Sequence, residues 1–202
     1  MHKQLLNVIS GLEVTGDIQS AALRLLSKHK LDDVAEHTLK VANEAKKIAA
    51  CFGGSAEKAF AAGLLHDIGN VIPLNNRVSL CNDLGIQMFE EEKMVPSMLH
   101  PKLSKIIASE VFQVDTDICN AIECHSTLKA HAGKLDLVLF VADKVSWDRI
   151  YNGEFIEEMT DGLEVSLERS AIVYLKYLCS GKAKVLHPWT IEAYDYLKDI
   201  CK

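Results

Sequence analysis

The sequence predicts an all-α fold, a single helical bundle with no sheet. Three observations carry this. Apolar residues recur at three- and four-residue spacing along most of the chain, glycine and proline fall mainly between such segments, and no alternating run with hairpin signals appears. With 202 residues, 49% of them hydrophobic, the chain can bury a full core in one domain.

The elements follow in order. Residues 2–10 form a short helix ending at Gly11. Asp17 caps a second helix running through Leu25-Leu26. Asp32 or Asp33 opens a longer one, with Val34, His37, Val41, Ala45 and Ile48 on one stripe and Gly53-Gly54 as its stop. Ser55 caps the next, an apolar run that carries His66-Asp67. The stretch from Pro73 to Glu92 reads as one or two short helices around Asp83-Leu84-Gly85. His100-Pro101 starts another, with proline at its favoured first position and His100 at or near the cap. Asp115 or Thr116 opens a helix ending near His125, and Ser126 to Lys134 is a loop. Leu135 to Trp147 is a strongly apolar helix, Phe155 to Tyr177 holds one long helix or two, and Thr190 to Lys198 closes the chain.

Composition excludes several classes of function. A net charge of -6 argues against a general binder of nucleic acid or of anionic membranes. It leaves room for a phosphorylated small molecule, because bound metals supply local positive charge. The six cysteines (Cys51, Cys81, Cys119, Cys124, Cys179, Cys201) include no CxxC pair and read as reduced, small hydrophobes. The start Met1-His2-Lys3-Gln4 is polar, no signal peptide is evident, and no apolar run reaches membrane-spanning length. The expected setting is the cytoplasm.

The chemistry centres on His66-Asp67. A carboxylate behind the run Phe60-Ala61-Ala62-Gly63-Leu64-Leu65 is costly to bury unless paired or bound to a metal. His37 sits on the buried stripe of its helix. Asp143 ends the run Leu137-Val138-Leu139-Phe140-Val141-Ala142, where a carboxylate needs a cation, and only Lys144, Lys134 and Arg149 are near in sequence. Each residue alone also fits a plainer role: a core histidine, a salt bridge, or a helix end for His100 and His125. Together, His37, His66, Asp67 and Asp143 make a sensible site for one metal. His100 and His125, with Asp67 bridging, would hold a second. Four imidazoles and two carboxylates suit iron, manganese, zinc or related ions and disfavour calcium. Two such ions about 3.5–4 Å apart would bind a bridging hydroxide and clamp the oxygens of a phosphoryl transfer.

The order His, His-Asp, Asp on a helical domain resembles the HD superfamily of metal-dependent phosphohydrolases. The likeness extends through Glu36-His37-Thr38-Leu39, Leu65-His66-Asp67, Leu99-His100, His125-Ser126-Thr127, Val141-Ala142-Asp143 and Arg149, to the ending His187-Pro188-Trp189-Thr190-Ile191-Glu192-Ala193-Tyr194. This ordered set is similar to the YqeK-type HD family of bacterial symmetrical dinucleoside-tetraphosphate hydrolases, from about Leu25 to Leu197. The resemblance implies an HD domain over residues 17–202, preceded by a helical extension over residues 1–16. It implies a di-iron site, with His37, His66, Asp67 and Asp143 on one iron and Asp67, His100 and His125 on the other. It implies cleavage of diadenosine tetraphosphate to two ADP by attack of the bridging hydroxide on an inner phosphorus, and a homodimer. Asp67 and Arg149 are the catalytic candidates. The leaving group is an acidic phosphate oxygen, so the lack of an obvious general acid is tolerable, and Arg149 can grip a phosphate bidentately.

Three positions depart from the family pattern. Val34 stands where an arginine is usual, Asn70 where a lysine is usual, and Ser146-Trp147 replace an acidic-proline pair. Losing two cations would weaken a phosphate grip, which leaves other readings open. These are another nucleotide phosphohydrolase of the superfamily, acting on a mononucleotide or cyclic dinucleotide, a di-iron oxygenase, or a catalytically poor metal-nucleotide sensor. His2, His29 and His131 fit no ligand position. His187 is expected to cap the last helix, Trp189 and Tyr194 to pack it, and Glu90-Glu91-Glu92 to form a solvated face.

Overall fold

A computed structural model of the chain describes residues 3–9, 17–146 and 155–202. Among these residues the secondary structure is helical throughout, with no strand. Helix α1 (Lys3–Val8) drops Leu5, fully buried, into the core. Helix α2 (Ile18–Lys28) is capped by Asp17, whose carboxylate accepts the backbone N–H groups of Gln19 and Ser20. Helix α3 (Asp32–Cys51) begins one residue after Leu31, which offers no side-chain cap; Asp32 and Asp33 instead place negative charge against the first turn. It stops at Gly53, whose φ of +67° admits glycine without strain.

Helix α4 (Ala56–Leu65) is capped by Ser55 and lies along α3. The approach is close: a Cβ on Gly63 would sit 2.5 Å from Ala42 Cα. Contrary to the sequence expectation, α4 does not carry His66-Asp67 inside it. His66 is the C-cap, and Asp67 precedes a 3₁₀ turn, Ile68–Val71. The reason is local: the His66 ring donates from Nδ1 to the Gly63 carbonyl (2.7 Å), the acceptor that the Asp67 N–H would need to continue the helix.

Short helices α5 (Arg77–Asp83) and α6 (Glu90–Met94) follow, then a 3₁₀ turn, Pro96–Leu99, leading directly into α7 (His100–Glu110). Here too the expectation shifts slightly: His100 is the first helical residue and Pro101 the second. The Ile68–Val71 turn rests on the start of α7, where a Cβ on Gly69 would lie 2.4 Å from the His100 carbonyl oxygen. Helices α8 (Thr116–Cys124) and α9 (Lys134–Val145) come next. Residues 137–142 of α9 are all buried, as expected of a helix that is apolar on every side. It touches α3, α4, α8 and the pair α10 (Ile156–Leu163) and α11 (Leu167–Tyr177). Of the two alternatives for 155–177, the structure shows two helices: Ser166 caps α11 by accepting the Arg169 N–H. Helix α12 (Pro188–Ile200) is capped by His187, as anticipated, and starts two residues earlier than the pattern suggested.

The expectation of a solvated face over 90–92 fails at Glu92, which is 2% exposed. Its carboxylate accepts from Lys102 Nζ (2.7 Å) and from the Phe89 N–H (2.7 Å), and lies 3.3 Å from His187 Nε2. A buried glutamate so surrounded ties α6, α7 and the α12 cap together. All six cysteines are free thiols. No helix among the described residues is long and apolar enough to cross a membrane.

Candidate metal centre

Three histidines share one local device. His66 ends α4, His100 starts α7 after a 3₁₀ turn, and His125 ends α8. Each places Nδ1 against the carbonyl three residues earlier: Gly63 (2.7 Å), Ser97 (2.7 Å) and Ile122 (2.8 Å). A carbonyl oxygen only accepts, so each Nδ1 carries a proton and leaves Nε2 as the ring nitrogen that faces the cluster. For His100 the Ser97 carbonyl is free to accept because Pro101 has no N–H.

Those Nε2 atoms converge on two carboxylates. Asp67 Oδ1 lies 3.1 Å from His100 Nε2 and 3.7 Å from His125 Nε2, while its Oδ2 lies 3.6 Å from His66 Nε2. The two oxygens of Asp67 thus lie near different histidines, Oδ2 near His66 and Oδ1 near His100 and His125. Asp143 Oδ1 lies 3.0 Å from His37 Nε2 and 3.7 Å from His66 Nε2. Two compact donor groups result, His37-His66-Asp143 and His66-Asp67-His125, each with its ligand atoms within 4.8 Å. His66 belongs to both, and His100 adjoins the second through Asp67. All six side chains that the sequence nominated as ligands are therefore in one place.

Two features show that this donor set suits cations. His66 is fully buried and its Nε2 has no hydrogen-bond partner. An orphaned buried acceptor costs on the order of 1–3 kcal/mol, and coordination removes that cost. His100 Nε2 and His125 Nε2 are 3.2 Å apart. The Ser126 hydroxyl lies 3.1 Å from His125 Nε2 and 3.4 Å from His100 Nε2 and has one proton to give, so a cation between the two rings and Asp67 would satisfy the rest.

The electrostatics agree. Burial would push the Asp67 carboxyl up, but the imidazoles of His66, His100 and His125 outweigh it and hold it well below the usual range. Burial likewise acts against ionised Asp143, and Lys144 and His37 outweigh it. Burial, with His66 and His100 alongside, keeps the His125 ring neutral by driving its pKa well below normal. Ionised carboxylates and a neutral His125 are states a metal requires, whereas His37, whose pKa burial lowers but Asp143 outweighs and raises, would give up a proton on binding one.

The cluster floors a pocket of about 370 Å³ lined also by Asn70, Arg77, Ser97, Met98, Ser126, Lys144 and Tyr174. A larger cavity, about 480 Å³, lies against Phe89, Lys102 and Trp189 but holds none of the six. Two cations in the metal pocket were not nominated as site residues. Lys144, 2% exposed, bonds to Asp143 Oδ2 and donates to the His125 carbonyl (3.2 Å). Its position directly after Asp143 was the available signal, and the structure shows the plainer salt-bridge reading of Asp143. Arg77 comes from α5, and nothing in its sequence neighbourhood marks it. Asn70, where a lysine was expected, accepts from Arg77 Nη2 (2.9 Å). Val34 packs against the core. Arg149 and Trp147 lie outside the described residues.

Comparison with known proteins matches these features. The HD domain family model covers residues 34–148, more than half of the chain and all six clustered side chains. The chain is 44% identical over 140 residues, 69% of its length and 72% of the relative's, to an uncharacterised protein in the pepC 5′ region of Lactococcus lactis subsp. cremoris. It is 24% identical over 182 residues, 87% of its length and 95% of the relative's, to the symmetrical bis(5′-nucleosyl)-tetraphosphatase of Halalkalibacterium halodurans. It superposes with a TM-score of 0.80 and 26% identity on a predicted HD superfamily hydrolase involved in NAD metabolism from Clostridium acetobutylicum, covering 90% of this chain and 97% of that one. The chain belongs to the HD-domain family of metal-dependent phosphohydrolases.

Proposed function

We propose that the chain hydrolyses dinucleoside tetraphosphates symmetrically, taking diadenosine tetraphosphate and water to two ADP. The observation that carries the reading is the convergence of four imidazoles on the two oxygens of Asp67 and on Asp143, with His66 Nε2 unsatisfied between them. His37, His66, Asp67 and Asp143 would hold one divalent ion, and Asp67, His100 and His125 would hold the other, with iron the favoured metal. When bound, the pair would activate water and polarise the phosphoryl oxygens.

The chain's own residues do the rest. The three Nδ1–carbonyl bonds fix ring orientation before substrate arrives, so no reorganisation is needed at the moment of reaction. Lys144 holds Asp143 ionised and in place. Water oxygen bonds to an inner phosphorus, the central anhydride bond breaks, and the departing ADP leaves as a phosphate anion that needs no strong acid. Arg149 is assigned to the phosphate chain. The charge balance supports a polyanionic substrate: two divalent ions would make the pocket strongly positive in a chain whose net charge is -6. The similarity to a symmetrical tetraphosphatase supports the same substrate class. A cytoplasmic homodimer is the form in which we expect it to act.

The test is product analysis after anaerobic iron loading. The reading requires ADP as the sole nucleotide product from diadenosine tetraphosphate, with no oxygen consumed. AMP plus ATP would refute the symmetrical cleavage. Tight nucleotide binding without turnover would favour the sensor reading.

A further inference from the structure

Arg77 is an unusual residue to find beside a metal centre. It is 6% exposed, yet no carboxylate among the described residues lies within ion-pair distance of it. A buried cation with no contact ion pair is costly; the Asp67 carboxylate offsets part of that through space, and the group persists where something else rewards it. Its guanidinium is held by three acceptors. Nε donates to the Ile72 carbonyl (3.1 Å), Nη1 to the Ser97 carbonyl (3.3 Å) and Nη2 to Asn70 Oδ1 (2.9 Å). A guanidinium has five N–H donors, so one on each terminal nitrogen remains uncommitted, and the group lines the metal pocket.

The anchors tie Arg77 to the ligands themselves. Asn70 donates its backbone N–H to the Asp67 carbonyl (3.0 Å). The Ser97 carbonyl that accepts from Arg77 also accepts from His100 Nδ1. The fork is therefore built onto the same two segments that place Asp67 and His100. Lys144, the other permanent cation described in the pocket, already bonds to Asp143 and the His125 carbonyl.

We propose that Arg77 is a phosphate-binding residue: Asn70 and Ser97 orient its guanidinium so that its remaining N–H pair grips the phosphate chain over the metal centre. This rests on the phosphohydrolase reading for the substrate but not on symmetrical cleavage. The expected ligand is any nucleoside diphosphate or longer polyphosphate, held as a fork holds two oxygens.

The test uses ADP binding, which is readable whether or not the protein turns over any dinucleotide. Metal-loaded full-length protein is titrated calorimetrically with ADP, for wild type, Arg77→Gln, Arg77→Lys and Asn70→Ala, with metal per chain measured on each. Loss of one charged, forked contact should weaken ADP roughly 10- to 100-fold in Arg77→Gln. Arg77→Lys should recover part of that, and Asn70→Ala should lose less than Arg77→Gln, with metal content unchanged in all three. If Arg77→Gln does not fold, Asn70→Ala carries the test, since it frees the fork and leaves the cation. ADP affinity within twofold of wild type in Asn70→Ala and in every Arg77 variant that folds would overturn the proposal. So would loss of metal in Arg77→Lys, which would make Arg77 a support for His100 only.

Discussion

Gly69→Ala tests how tightly the fold grips the metal centre. The added Cβ would lie 2.4 Å from the His100 carbonyl oxygen, 2.6 Å from Ser104 N and 2.8 Å from Ser104 Oγ. Reaching ordinary contact at 3.4 Å requires the turn to retreat from α7 by about 1 Å. Two of those atoms are backbone of a helix that is packed on α8, so the turn itself must give. That movement opens the gap between Asp67 and His100, now 3.1 Å, and strains the bond from Gly69 N–H to Ser104 Oγ (2.8 Å). Overpacking of this kind costs roughly 1–3 kcal/mol, and the bond about 1 kcal/mol more. A misplacement near 1 Å between ligands is expected to lower turnover by about 100-fold. The assay is urea denaturation with metal quantification and diadenosine tetraphosphate turnover on the same preparations. Ser104→Ala is the control: it removes the bond without crowding, so it should cost only about 1–2 kcal/mol and keep both metals. Stability and metal affinity unchanged in Gly69→Ala would refute the claim that the turn is pinned against α7.

Two further predictions follow from the burial of Glu92 and of the cysteines. Burial pushes the Glu92 carboxyl up, but His187 and Lys102 outweigh it and hold its pKa below the ordinary value of 4.5. Its contribution is therefore present above that pH and lost as pH falls through the lowered value. Glu92→Gln strands Lys102 and should cost about 3–5 kcal/mol near neutrality, with a shallower loss of stability on acidification than wild type, read by denaturant titration from pH 7 to pH 3. An unchanged acid limb would place the sensitivity elsewhere. Thiol labelling supplies the other: Cys51 is exposed and should react with a disulfide reagent in the native state. Cys81 and Cys124, pushed up by burial to about 11 and about 12, should stay unlabelled until the chain unfolds.

Much of the fold was legible because helix signals here are local. Asp17, Ser55 and His187 cap where the pattern placed caps, and the apolar run of α9 reads directly as a buried helix. What sequence could not show were contests between side chain and backbone. The His66 ring takes the carbonyl that would have extended α4, and no propensity scale registers that competition. Glu92 sits in a run of three acids that looks solvated; its burial depends on His187, 95 positions later. The six candidate ligands could be picked out only as an ordered set, since each alone passes for a core histidine, a cap or a salt bridge; the structure brings their side chains together. Arg77 was not legible, because its place in the pocket depends on the 70–76 segment folding back against Ser97.

The most direct measurement is metal per chain in wild type and Asp67→Ala, by elemental analysis after anaerobic loading and desalting. If Asp67 bridges the two ions as proposed, wild type should hold two ions and Asp67→Ala should lose both or most of their affinity; its oxygens lie near His66 and near His100 and His125. His125→Ala should lose chiefly one. Two ions retained in Asp67→Ala would contradict a centre built around that carboxylate.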